Sequence, residues 1–142
     1  MRQVVLKFWI SLDGYSCDPG TELYQFLQEL PEDEGDAYFV NRLRQAGTHI
    51  MGRVTYEGMA DVWPTSDNPI AAPMNEIPKV VFSDSLTAAD WGETTIVAGD
   101  DLAEAITRLK RERSGGYLLA HGGVRFARSL VQAGLKIGRA HV

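Results

Sequence analysis

Residues 49–57 read His49-Ile50-Met51-Gly52-Arg53-Val54-Thr55-Tyr56-Glu57, a short apolar strand that a single glycine joins to the start of a helix. A glycine lets a ligand approach the backbone, and the free amide groups at a helix start favour an anion. Arg53 adds a forked donor that suits phosphate, and Thr55 adds a hydroxyl group. We therefore predict an anion site at this turn. The alternative is a plain strand-to-helix turn that carries a surface arginine.

A second turn of the same kind lies further along the chain. Residues 118–126 read Leu118-Leu119-Ala120-His121-Gly122-Gly123-Val124-Arg125-Phe126, again a buried strand, glycines and a helix start. Ligands of open α/β sheets bind at the carboxyl ends of strands, where both turns lie. The alternative is a tight turn that needs glycine for its backbone shape alone. Neither turn matches the G-x-G-x-x-G fingerprint or a Walker A loop, which argues against an ordinary Rossmann domain.

The rest of the chain alternates between strand and helix patterns. Alternating or continuous apolar runs predict strands, and apolar residues three and four apart predict helices. Besides the strands of the two turns, the predicted strands cover Gln3 to Leu12, Lys79 to Ser83 and Thr94 to Ala98. The predicted helices run from Thr21 to Leu30, from the acidic residues 32–36 to about Ala46, from Arg53 to Met59, and from Leu102 to about Arg113. Residues 61–75 are predicted as a loop. This alternation indicates an α/β class with a largely parallel sheet.

The bulk properties fit one globular domain. The chain has 142 residues, of which 44% are hydrophobic, and its formal net charge is −5. That charge argues against nonspecific binding of nucleic acid, which needs clustered Lys and Arg. A single cysteine, Cys17, excludes an internal disulfide, and no apolar run approaches the ~20 residues of a membrane helix. We therefore predict a protein of the cytoplasm that binds neither nucleic acid nor membranes.

Four segments appear in an order that resembles a known family. They are Val4 to Gly14, Gly52 to Glu57, Lys79 to Ser83, and His121 to Leu135. Together they resemble the dihydrofolate-reductase-like family that contains the C-terminal reductase domain of the bacterial riboflavin deaminase-reductase. The resemblance covers nearly the whole chain up to Leu135. It implies a three-layer α/β sandwich around a mainly parallel sheet, in one domain over residues 1–135.

The resemblance also implies an activity. A stand-alone member would be an NADPH-dependent oxidoreductase that transfers a hydride to a small heterocyclic or ribosyl substrate. The family's own reaction in riboflavin biosynthesis reduces 5-amino-6-(5-phosphoribosylamino)uracil, and dihydrofolate reductases carry out a related one. The alternatives are a nucleotide-binding module without chemistry and a flavin-binding protein. The relatives further imply a homodimer in the full-length form.

The resemblance places the cofactor NADPH at the two glycine turns and at the end of a third strand. The first turn would hold the pyrophosphate and the 2′-phosphate side, Ser83 would face the adenosine ribose phosphate, and the second turn would cradle the pyrophosphate. The cofactor-binding residues implied in this way are Gly52, Arg53, Thr55, Ser83, Gly122, Gly123, Val124 and Arg125. One position departs from the family pattern, because Asp84 stands where a basic residue is common. A carboxylate there would repel a 2′-phosphate.

Two acidic residues are candidates for the substrate side. Asp36 lies 16 residues before Gly52, a spacing that resembles the acidic helix residue of dihydrofolate reductases. A partly buried carboxylate there would hold a heterocyclic ring or assist its protonation, and the alternative is an ordinary acid at a helix N-terminus. Asp13 would border the nicotinamide, or would simply belong to an Asp-Gly turn. The three histidines lack metal-ligand spacing and there is no cysteine cluster, so we predict no metal.

The last seven residues, 136–142, break the pattern of the chain. They read Lys136-Ile137-Gly138-Arg139-Ala140-His141-Val142. With permitted codons they back-translate to the start of a common sequencing adapter followed by a stop codon. We interpret them as a non-native read-through tail, with a genuine basic tail as the alternative. We therefore expect this fold to lack its C-terminal strands.

Overall fold

The structure is a computed structural model, and it describes residues 1–8, 10–16, 22, 29, 35–99, 101–112, 115–135 and 137–138. Within these residues six strands form one sheet: β1 (Val4–Lys7), β2 (Ala46–Gly52), β3 (Lys79–Phe82), β4 (Thr94–Val97), β5 (Tyr117–His121) and β6 (Ile137–Gly138). Their order is β4-β3-β2-β5-β1-β6, and every neighbouring pair is parallel. The prediction of an α/β class with a mainly parallel sheet is confirmed.

Helices cover both faces of this sheet. In the described part of the chain they are α1 (Gly35–Arg44), α2 (Arg53–Val62), α3 (Ala71–Glu76), α4 (Leu102–Arg111) and α5 (Val124–Gln132), with a 3-10 turn at Trp63–Thr65. None of the helices described is both long and apolar enough to cross a membrane.

Two buried clusters lie on opposite faces of the sheet and make the molecule a three-layer sandwich. Met51 belongs to a cluster with Leu43 of α1, which also includes residues of α2 and α3. Its neighbour Ile50 points to the other face and belongs to a cluster with Ile106 of α4 and Leu130 of α5. Successive residues of a strand face opposite sides, so a strand covered by helices on both faces is apolar at nearly every position.

The first strand is shorter than the alternating pattern predicts. β1 ends at Lys7, whose partner on the neighbouring strand is His121, the last residue of β5. In the described part of the chain β5 offers no further partner beyond that point, because Gly122 begins the next turn. The apolar residues Ile10 and Leu12 are exposed, although their alternation with polar residues predicts a strand.

The predicted loop over residues 61–75 is also wrong in part. Helix α2 continues to Val62, and Ala71–Glu76 form the short helix α3. Pro73 is the third residue of α3, where a proline removes no hydrogen bond that the first turn needs. Two of the three prolines that favour a loop in the sequence, Pro64 and Pro73, therefore lie in first turns of helical segments.

Two other predictions fall largely on residues that the structure does not describe. The predicted helix from Thr21 to Leu30 lies outside them, apart from isolated positions. In the predicted tail, Ile137 and Gly138 pair with Val4 and Val5 as strand β6. The read-through origin of residues 136–142 and the expected lack of further C-terminal strands stay predictions.

Candidate functional site

The two glycine turns and the end of a third strand come together at one edge of the sheet. Parallel strands all end at the same edge, here called the carboxyl edge. Strands β3, β2 and β5 are direct neighbours there, since Gly52 pairs with Phe82 and Ile50 pairs with Ala120. The turn after Gly52, the Ser83 that follows β3, and the Gly122-Gly123 turn therefore leave the sheet side by side.

Both turns open onto helix N-termini that have no side-chain cap. The N-cap residues are Gly52 for α2 and Gly123 for α5, and neither helix has an acidic residue in its first turn. Helix α4 starts differently at the same edge: Asp101 accepts a hydrogen bond from the amide of Ala103 at 2.8 Å, and Glu104 lies in the first turn. The first amides of α2 and α5 are thus left without a side-chain acceptor and suit an anion, whereas in α4 the Asp101 side chain satisfies one of them.

The space in front of these amides fits the close approach of a phosphate. A Cβ atom added at Gly52 or at Gly123 would meet no atom within 4 Å. The neighbouring Gly122 is packed more tightly, because an added Cβ would lie 3.4 Å from the Leu6 side chain. Two uncapped helix starts on adjacent strands can bind the two phosphates of one ligand.

Charged side chains border the two turns. Arg53 is the first residue of α2, is exposed, and donates to the Glu57 carboxylate at 2.9 Å. Thr55 is half-buried in the same helical turn, Val124 is half-buried at the start of α5, and Arg125 is exposed beside it. Both arginines lie at the starts of their helices next to the glycine turns, and their roles in cofactor binding stay predictions.

The end of β3 carries a hydroxyl group and a carboxylate. The Ser83 hydroxyl accepts hydrogen bonds from the amides of Ser85 and Leu86 at 3.2 and 3.0 Å, so it caps its own turn, and it lies 3.4 Å from the Ser85 hydroxyl. The Asp84 carboxylate accepts from the amide of Gly99 at 2.6 Å, which links the ends of β3 and β4. Both side chains stay at the carboxyl edge next to the Gly52 turn.

The two acidic candidates for the substrate side are less clearly placed. Asp13 is exposed, and its carboxylate accepts from the Ser11 hydroxyl at 2.6 Å in the loop that follows β1. Asp36 is the second residue of α1, and its side chain lies outside what the structure describes. Helix α1 ends at Arg44, directly before β2, so its first residues lie toward the carboxyl edge. The catalytic roles of Asp13 and Asp36 stay predictions.

A buried histidine pair lies beside the second turn and was not assigned to the site from the sequence. His121, the last residue of β5, is 2.8 Å from His49 of β2 between Nε2 and Nδ1, and His49 Nε2 is 3.1 Å from the carbonyl oxygen of Pro73. A carbonyl only accepts, so His49 carries its proton on Nε2 and His121 carries its proton on Nε2 as the donor to His49. His121 Nδ1 is therefore an unprotonated acceptor, and no atom of the described residues donates to it.

Burial sets the protonation of the groups around this pair. It lowers the pKa of His49 to about 4, and burial together with the nearby His49 and Lys7 places the pKa of His121 well below its usual value. Burial also lowers the pKa of Lys7, the neighbour of His121 across the strands, to about 8. The sequence predicts Lys7 in the middle of the strand from Gln3 to Leu12, so no sequence signal marks it as a residue of this edge. Among the described residues no three His, Cys, Asp or Glu side chains are grouped to hold a metal ion.

The comparison with solved structures places the fold in a known class. The chain resembles the crystal structure of a protein from Shewanella sp. PV-4 that is named for riboflavin biosynthesis. The TM-score is 0.67 at 24% sequence identity, and the match covers 95% of this chain and 72% of that one. The fold is the dihydrofolate-reductase-like α/β sandwich, as the sequence predicts.

The family follows from the sequence itself. The profile of the RibD C-terminal domain matches residues 2–136, nearly the whole chain. The protein belongs to the RibD C-terminal domain family, which is a family of reductases. No curated protein matches it.

Proposed function

We propose that the protein is an NADPH-dependent reductase of the riboflavin-biosynthesis type. Its substrate is a small heterocyclic or ribosyl compound of the class of 5-amino-6-(5-phosphoribosylamino)uracil. The observation that carries the proposal is the pair of uncapped glycine turns on the adjacent strands β2 and β5. Membership of a reductase family and the name of the Shewanella protein support the same assignment.

The residues of the carboxyl edge fit a dinucleotide. The open space at Gly52 and Gly123 admits the pyrophosphate to the amides of α2 and α5, and Arg53 and Arg125 are the charged donors beside it. A bound reduced nicotinamide supplies the hydride. The protein's own part is to hold the cofactor and the substrate in contact and to keep water away, which accounts for much of the rate in reactions of this kind.

At the carboxyl edge, the buried part lies at the ends of β5 and β1. The reacting groups of the cofactor and the substrate fit best there. His121 is 1% exposed there and neutral, and Lys7 is the adjacent cation. A site with little water strengthens each hydrogen bond that orients a substrate.

We also propose that the full-length protein is a homodimer of the cytoplasm, which light scattering and cell fractionation would test.

The test of the cofactor is a titration of NADPH into the wild type and Arg53→Ala. We expect the variant to bind NADPH about tenfold more weakly, because one charge-assisted hydrogen bond to phosphate is lost. The change for NADH should be smaller. The matched control is Arg44→Ala, since Arg44 is also exposed and also pairs with a glutamate, Glu76, at 3.7 Å.

The same titration separates a reductase from a nucleotide-binding module without chemistry. A reductase oxidises NADPH when a ribosylamino-pyrimidine or a folate is added, and the module binds NADPH but oxidises none across these substrates. If the wild type binds neither NADPH nor NADH, both functions are wrong. A yellow preparation with flavin absorbance would instead point to a flavin-binding protein.

A further inference from the structure

The position of the two uncapped turns fixes which strands border each half of a bound dinucleotide. A pyrophosphate held at the two turns would lie at β2 and β5, so one half of the dinucleotide would extend toward β1 and the other toward β3 and β4. Hydride transfer needs surroundings that exclude water, and the buried side with His121 is that of β1 and β5. The adenosine half would therefore extend along the exposed end of β3.

The cation closest to that half already has an anionic partner. Gly52 pairs with Phe82, so Arg53 and the residues after Phe82 leave the sheet next to one another. The Arg53 guanidinium donates to Glu57 at 2.9 Å, with 43% and 50% of the two side chains exposed. Glu57 thus offsets part of the charge that Arg53 would offer to a ligand.

A second carboxylate is held at the same place. Asp84 is exposed at the end of β3, and its Oδ1 accepts from the amide of Gly99 at 2.6 Å. Gly99 has a φ of +68°, a conformation that favours glycine, so the turn after β4 is shaped to present this amide. The hydrogen bond keeps the carboxylate at the carboxyl edge instead of letting it turn away.

These charges favour a ribose over a ribose phosphate. An acidic residue beside the adenosine ribose accepts hydrogen bonds from its hydroxyl groups, whereas an arginine accommodates a 2′-phosphate. Among the described residues that would border this half, Arg53 is accompanied by two carboxylates, Glu57 and Asp84. Arg125, the other arginine of the two turns, belongs to α5 and follows β5, so β2 separates its strand from β3.

We propose that the site binds NADH about as tightly as NADPH, because Asp84 and Glu57 offset the attraction of Arg53 for a 2′-phosphate. This inference rests on the proposed function and extends it by assigning the residues that choose between the two dinucleotides. It concerns binding, so its test does not depend on knowing the substrate.

The experiment is a calorimetric titration of NADPH and of NADH into the full chain at low ionic strength. The variants are Asp84→Asn, which keeps an acceptor for Gly99, and Glu57→Gln. We expect the two dinucleotides to bind the wild type within about threefold of each other, and each substitution to tighten NADPH roughly fivefold with little change for NADH. The matched control, Glu76→Gln, removes the same charge from another exposed ion pair and should change neither affinity.

Each outcome decides a different point. A wild type that prefers NADPH more than about thirtyfold overturns the inference but leaves the proposed function standing. Substitutions at Asp84 and Glu57 that leave the ratio of the two affinities unchanged also overturn it. If neither dinucleotide binds, the proposed function fails and the inference fails with it. Unchanged thermal unfolding of the variants confirms that the comparison is made between folded proteins.

Discussion

Two neutral histidines in the core show how much a single contact between distant residues adds to what the sequence reveals. The sequence places His49 in an apolar strand and His121 directly before the second glycine turn, and it does not indicate that the two are in contact. The structure joins them across neighbouring strands at 2.8 Å, with the Pro73 carbonyl fixing the direction of both hydrogen bonds. A contact between residues 72 positions apart depends on which strands are neighbours, and no local pattern contains that information.

This pair predicts a specific loss of stability in mild acid. In the unfolded chain a histidine titrates near pH 6.5, whereas the native pKa of His49 is about 4 and that of His121 is also lowered. The groups therefore stabilise the fold fully above pH 6.5, and this contribution is lost as the pH falls toward 4. We expect the free energy of unfolding to fall by up to about 1.4 kcal/mol per pH unit for each histidine.

Urea unfolding at pH 7 and pH 5 measures this loss. The control is the double variant His49→Gln and His121→Gln, in which the carboxylates still titrate but the histidines are gone. The variant should depend less on pH than the wild type over this interval. An equal dependence in both proteins would show that the histidines are protonated in the native state.

Some glycines of the turns leave space for a ligand, and others allow a backbone conformation that the fold needs. Substitution by alanine distinguishes the two kinds. Gly123 has a φ of −79° and open space at its Cβ position. We expect Gly123→Ala to cost no more than about 1 kcal/mol of stability, the difference between glycine and alanine at an N-cap. It should weaken NADPH binding, because the new methyl group occupies the space through which the phosphate approaches.

Gly116 provides the contrast at the other end of β5. Its φ is +92°, and an added Cβ would lie 2.5 Å from the amide nitrogen of Gly47. Gly116→Ala should cost more than about 2 kcal/mol because it combines backbone strain with a clash. Urea unfolding and an NADPH titration of Gly123→Ala and Gly116→Ala test the expected changes in stability and affinity. A Gly123→Ala protein with unchanged affinity would count against a phosphate at the second turn.

At the level of elements, the sequence predicts the local structure better than the arrangement. The two strand-glycine-helix turns can be read directly, because apolar strands, glycine and a helix pattern are all local signals. The start of β2 cannot be predicted from local signals, because Ala46 and Gly47 are poor strand formers. They join the sheet through contacts with residues near Gly115 and Gly116. The order of the strands is equally hidden, because a parallel sheet is assembled entirely from long-range crossovers.

In the whole molecule the two edges of the sheet carry different kinds of groups. The carboxyl edge carries open turns and exposed charges, whereas the amino edge is tied together by buried cations. Lys79, at the start of β3, is 1% exposed, donates to the carbonyl groups of Asn75 and Ile77, and lies 4.3 Å from the centre of the Trp91 ring. A lysine in a strand is normally exposed, so the sequence gives no signal that Lys79 is buried.

Arg2 is the other buried cation of the amino edge, and it predicts that stability and cofactor binding can be separated. Its guanidinium donates to the carbonyl of Gly116 at 2.9 Å and to the hydroxyl of Thr48 at 2.8 Å, and lies 3.6 Å from the Glu112 carboxylate. It thereby links the starts of β1, β5 and β2. We expect Arg2→Leu to lower the free energy of unfolding by about 3 kcal/mol, since buried acceptors lose a charged donor.

The affinity for NADPH should stay the same in Arg2→Leu, because the five residues of β5 separate the two edges by roughly 17 Å. The graded control is Thr48→Val, which removes one of the hydrogen bonds and should cost about 1 kcal/mol. Urea unfolding measures the stabilities, and a titration at a temperature where each protein is folded measures the affinities. A folded Arg2→Leu protein that binds NADPH tenfold more weakly would mean that the sheet transmits changes from one edge to the other. The arrangement of the charges argues that the two edges act independently, since the contacts of Arg2 and Lys79 lie at the amino edge and the proposed cofactor site lies at the carboxyl edge.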